Sequence, residues 1–159
     1  MTLLGIDPGL VATGFGLINN TNNKNKIIDY GTIVPDKNEN LSQRLNTIYE
    51  DLSYIINKYS PSIMVIEEVF YGKNVKSALL LGHARGVAMI CAAKKGIPVF
   101  EYSARKVKQS VTGNGSAHKS QVQYMVLNEF NIKNNIPIDA SDALAIALCH
   151  LNQIKLNEL

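Results

Sequence analysis

MTLLGIDPGL, residues 1–10, delivers one aspartate out of an apolar run and straight into a Pro-Gly turn. Leu3, Leu4 and Ile6 read as a strand buried on both faces, with Asp7 at its end. A buried carboxylate without a partner is costly, so Asp7 needs a cation, hydrogen bonds or a proton. SIMVIEEVF, residues 62–70, repeats the pattern, an apolar strand that gives out on Glu67 and Glu68. If these two strands are parallel neighbours, Asp7 and Glu67 converge at one end of a sheet. Side chains alternate along a strand, so only one of the two glutamates can face Asp7; Glu67 is read as the site residue and Glu68 as structural or as supporting the site from behind.

Between them, TGFGLIN (13–19) and KIIDYGTIV (26–34) read as strands joined by a hairpin loop over the polar tract NNTNNKNK, which makes the opening an antiparallel meander. The glycines of the first allow close backbone approach or a bulge. From Leu41, apolar residues at Leu45, Ile48, Leu52, Ile55, Ile56 and Tyr59 keep helical spacing until Pro61. A helix over 77–95, a strand over 97–102 and helices over 103–111, 119–130 and 139–154 complete the pattern. Three antiparallel strands followed by alternating helix and strand predict an α/β fold, a mixed five-stranded sheet with helices on both faces, in a single domain over 1–159.

Composition narrows the class. Hydrophobic residues make up 46% of 159 residues, enough for a core that needs no disulfide or structural metal. Cys91 and Cys149 lack any CxxC or Cys/His spacing and read as reduced, buried thiols. No export signal is visible and no apolar run approaches the roughly 20 residues that cross a bilayer, so a cytoplasmic protein is expected. The net charge of +3 is modest, but cations bunch at 73–76, 94–95 and 104–108. Such clusters suit a phosphate backbone, although a charge run is more often a solvated face.

IDASDALAIAL, residues 138–148, adds Asp139 and Asp142, three apart at the start of an alanine-rich helix and so on one face. Asp139 alone fits an N-cap. Four carboxylates with little His or Cys nearby favour hard, oxygen-preferring cations, Mg²⁺ first and Mn²⁺ as substitute. Two such ions roughly 3.5–4 Å apart suit phosphodiester hydrolysis.

LGIDPG (4–9), VIEEVFYGKN (65–74), SALLLGHARGV (77–87), VFEYSARKVKQSVTGNGSAHKSQVQ (99–123) and DASDALAIA (139–147) together resemble the RuvC family of Holliday junction resolvases. That resemblance implies an RNase H-like fold, a homodimer, and Mg²⁺-dependent paired nicking of a four-way DNA junction that leaves 5′-phosphate and 3′-hydroxyl ends. It places the catalytic, metal-holding acids at Asp7, Glu67, Asp139 and Asp142. It matches Phe70, Lys108 and Lys119 to DNA-contacting positions; the clustered Lys73, Lys76 and Arg105 are added as candidate DNA contacts. RuvA and RuvB, the branch-migration proteins, are its implied partners. On the residues alone Phe70 reads more readily as core than as a DNA contact.

GNGSAHKS (113–120) imitates a phosphate-binding loop, but His118 stands where its second glycine must be and a helix precedes it, so a DNA-facing loop is the better reading. His83 and His150 read as packing or surface histidines. Two rivals remain: an actin-like ATPase lobe, for which one lobe is too little, and a junction-binding module without chemistry, for which four converging acids have no use.

Overall fold

The structure, a computed structural model, describes residues 1–68 and 74–157. Its elements run β1 (Thr2–Asp7), β2 (Thr13–Thr21), β3 (Lys24–Ile33), α1 (Leu41–Tyr59), β4 (Ile63–Glu67), α2 (Val75–Ala93), β5 (Val99–Tyr102), α3 (Ala104–Thr112), α4 (Lys119–Glu129) and α5 (Ile138–Asn157). The five strands form one sheet in the order β3-β2-β1-β4-β5. β1 pairs antiparallel with β2 and parallel with β4, and β4 pairs parallel with β5.

β1 reads as a continuous apolar run because both its faces are covered. Leu4 and Ile6 pack with Met64, Ile66 and the α1 and α2 residues Ile48, Leu52 and Ala88. Leu3 packs on the opposite face with Val65, Val107, Val122 and Leu144, under α3, α4 and α5. The β2–β3 hairpin is tighter than the predicted polar loop. Its strands run into the Asn/Lys tract until only Asn22 and Asn23 turn the chain, both at positive φ (51° and 59°), which asparagine tolerates and which matches the twist of paired strands. A register shift falls between Leu17 and Ile18, beyond the two glycines where a bulge was one expectation.

Local chemistry sets the helix ends. Asn40 caps α1 by accepting the Gln43 N–H (3.0 Å), and the Gln43 side chain accepts the Asn40 N–H (3.2 Å). Asn74 and Ser103 cap α2 and α3. α2 corrects one expectation, because it is 19 residues long with mean hydropathy 1.3 and could cross a membrane by length and composition. Only one face of it is buried, through Ala84, Ala88, Cys91 and Ala92, while Arg85 pairs with Glu101 of β5. Both cysteines are free and buried, as expected.

Candidate active site

Asp7 and Glu67 end parallel neighbours whose register runs Leu3↔Ile63 to Ile6↔Ile66, so the predicted convergence is present. The third acid comes from α5, and its height above the sheet is set by glycines. A Cβ on Gly5 would lie 2.0 Å from the Ala143 carbonyl oxygen, and one on Gly14, the cross-strand partner of Asp7, 1.9 Å from that of Asp139. The helix therefore rests on the sheet backbone to backbone. That seat brings Asp142 down beside the strand ends, into a cleft of ≈ 150 Å³ lined by Asp7, Glu67, Asp142, Lys108 and Lys119, with Val107, Val122 and Ile146 among its apolar walls. The turn after Asp7 is braced: Thr13 Oγ1 donates to the Gly9 carbonyl (2.7 Å) and Arg44 Nη2 to that of Leu10 (2.7 Å).

The electrostatics are those of a site with surplus negative charge. Burial, then the charges of Glu67, Asp142 and Asp139, push the Asp7 carboxyl up to about 8, with Lys119 only partly opposing them. Burial and Asp142 raise Glu67 as well. Lys119 Nζ donates to Asp142 Oδ2 at 3.1 Å, and that bond raises the lysine. Among the described residues no three His, Cys, Asp or Glu side chains stand close enough to make a closed ligand set. The fit to a cation is therefore chemical: oxygen donors only, with more charge than one lysine neutralises, which suits Mg²⁺ or Mn²⁺ rather than zinc.

This predicts a pH dependence. An acid raised in the fold favours its protonated form there, so it opposes folding progressively as pH rises from 3.8 towards 8. In EDTA the melting temperature is expected to fall across that window, and Asp7→Asn to flatten the slope. An equal slope in the variant would mean that other groups carry it.

The expected site residues divide clearly. Asp7, Glu67, Asp142, Lys108 and Lys119 line the cleft. Asp139 does not; it lies inside the first turn of α5 rather than at its N-cap, and acts on Asp7 through its charge. Glu68 is exposed and bonds through its backbone N–H to Tyr102 O (3.0 Å), as the alternation predicted. Lys76 and Arg105 are exposed beyond the cleft, and Phe70 and Lys73 lie outside the described residues. His83 is exposed, and His150 is buried with Nδ1 2.8 Å from the Tyr102 hydroxyl. The residues that the sequence reading missed are the apolar walls, which look like ordinary core until α3, α4 and α5 are packed together.

The family model for crossover junction endodeoxyribonuclease RuvC matches residues 3–150. The chain belongs to the RuvC family. It is 51% identical over 150 residues to the RuvC of Saccharophagus degradans, covering 94% of this chain and 87% of that one. It is 47% identical over 160 residues to that of Alkaliphilus oremlandii, covering 100% and 98%. Among solved structures, Thermus thermophilus RuvC in complex with a Holliday junction substrate superposes with a TM-score of 0.91 at 28% identity, covering 99% of this chain and 96% of that one. The RNase H-like α/β architecture of RuvC is thus present here, and the ATPase-lobe rival falls away.

Proposed function

We propose that this RuvC-family nuclease resolves four-way DNA junctions during recombination and repair by paired, symmetric, Mg²⁺-dependent nicks that leave 5′-phosphate and 3′-hydroxyl ends. The observation that carries the reading is the convergence of Asp7, Glu67 and Asp142 on one cleft whose other polar wall is Lys108 and Lys119. Asp7, Glu67 and Asp142, with Asp139 at the margin, would hold the metal. When bound, the ions supply an activated water and charge stabilisation of the departing oxygen. The protein's own part is placement. Lys108 and Lys119 draw the phosphate to an otherwise repulsive acidic centre, and Asp142, which here accepts from Lys119, is one of the acids that would hold the metal. Water attacks phosphorus and gives up a proton to solvent, the bond from phosphorus to O3′ breaks, and the 3′-oxygen leaves with a proton from solvent. Lys76 and Arg105, together with Phe70 and Lys73, are proposed to meet DNA outside the cleft.

The test is a synthetic four-way junction incubated with Mg²⁺ or EDTA. Paired nicks with Mg²⁺, and binding without nicking in EDTA, are expected; nicking in EDTA or single unpaired cuts would refute the reading. Lys119→Ala is expected to slow cleavage about ten-fold and, because Asp142 (18% exposed) then loses its lysine among the other acids, to lower the melting temperature slightly in EDTA, by too little to account for the slower cleavage. An unaltered cleavage rate would reduce Lys119 to a bystander.

Two cuts in a two-fold substrate suit a two-fold enzyme. The candidate interface is the outer face of α2, where Leu79 (63% exposed) and Ile90 (50%) flank Gly82 and Gly86, beside which a Cβ would meet nothing within 4 Å. A helix this apolar with one face bare needs a cover, and a second copy supplies it. Sedimentation as a 17.5 kDa monomer alone would contradict the dimer. A cytoplasmic location and RuvA and RuvB as partners follow from the same reading, and cell fractionation with co-precipitation tests both.

A further inference from the structure

We infer that Gln109 is a positioning residue for Lys119, acting through the α3–α4 turn. This rests on the reading of Lys119 as a group that serves cleavage. Gln109 lies on α3 outside the cleft and meets no acid, yet its amide clasps the turn at two points: Nε2 donates to the Gly113 carbonyl (2.9 Å) and Oε1 accepts the Gly115 N–H (2.9 Å). Gly113, at φ 79°, turns the chain off the helix.

The links after the clasp are held in series. Thr112 Oγ1 accepts the Asn114 N–H (3.1 Å) and donates to the Lys108 carbonyl (2.8 Å). Asn114 Oδ1 accepts the Ser116 N–H (2.9 Å), and Ala117 is buried beside Val107 and Val122. Lys119 follows at the first turn of α4 and reaches Asp142. Its side chain is 67% exposed, so packing does little to aim it. Its direction depends on where its backbone is set, and the turn sets it. The same turn seats Arg105, whose Cγ would lie 2.9 Å from a Cβ on Gly115.

Gln109→Met keeps the bulk of the side chain and removes both bonds. Single-turnover cleavage of a four-way junction in Mg²⁺ is expected to slow about five- to ten-fold, with junction Kd and melting temperature nearly unchanged. Added to Lys119→Ala, it is expected to cost no more than Lys119→Ala alone, because residues acting as one unit are not additive. Hydrogen exchange of the Gly115 amide, read without DNA, should quicken in Gln109→Met. Wild-type cleavage by Gln109→Met, losses that multiply with Lys119→Ala, or a slowdown fully accounted for by weaker binding or a lower melting temperature would each overturn the inference. Wild-type cleavage by Lys119→Ala alone would instead sink the reading of Lys119, and the inference with it.

Discussion

Asp7→Asn is expected to bind four-way junctions about as well as the parent protein and to leave them uncut, a loss of at least ~10³-fold in cleavage rate. The size follows from the several kcal/mol that a bound metal contributes to stabilising the transition-state charge, at about 1.4 kcal/mol per decade. Asp7 is the acid on which the others bear most heavily, its carboxyl pushed up to about 8 by burial and by Glu67, Asp142 and Asp139. Asparagine is close in shape, keeps one oxygen and removes the charge. The same change is expected to raise the melting temperature in EDTA at pH 8, because it removes the charge on which Glu67, Asp142 and Asp139 bear. Near-normal nicking by the variant would end the assignment of Asp7. Lost cleavage with a lowered melting temperature would instead point to damage of the fold.

Gly14→Ala is the second large effect, and it acts by displacement. The new Cβ would lie 1.9 Å from the Asp139 carbonyl oxygen, a backbone atom that cannot rotate away, so the first turn of α5 must lift from the sheet. Overpacking of this kind costs about 1–3 kcal/mol or more, and at about 2–4 °C per kcal/mol the melting temperature should fall by roughly 2–12 °C. Cleavage should fall further than stability explains, about 10²-fold, since the lifted turn carries Asp139 and Asp142 away from Asp7. A stable and active Gly14→Ala protein would show that α5 is not seated as described.

Much of the site was legible because its residues break local rules. Asp7 and Glu67 each end a strand that is otherwise core, and Asp142 interrupts a run of alanine and leucine; such breaks stand out one residue at a time. Periodicity likewise located all five helices and the buried strands. Its errors lay where a neighbour decides. The hairpin tightened because pairing carried β2 and β3 into a tract that reads as loop. The apolar run of α2 was underestimated because Lys76, His83 and Arg85 break up a long hydropathic stretch.

The chain alone determined which carboxylates the protein could gather, since hydropathy and alternation place Asp7, Glu67 and Asp142 at the ends of buried elements. Only the tertiary structure decided that Asp139 stands at the margin, that Lys119 reaches Asp142 across 23 residues, and that glycines at 5 and 14 set the height of α5. The reason is physical. Secondary structure answers to neighbours three or four residues away, whereas distances between charges depend on how closely one backbone can lie upon another.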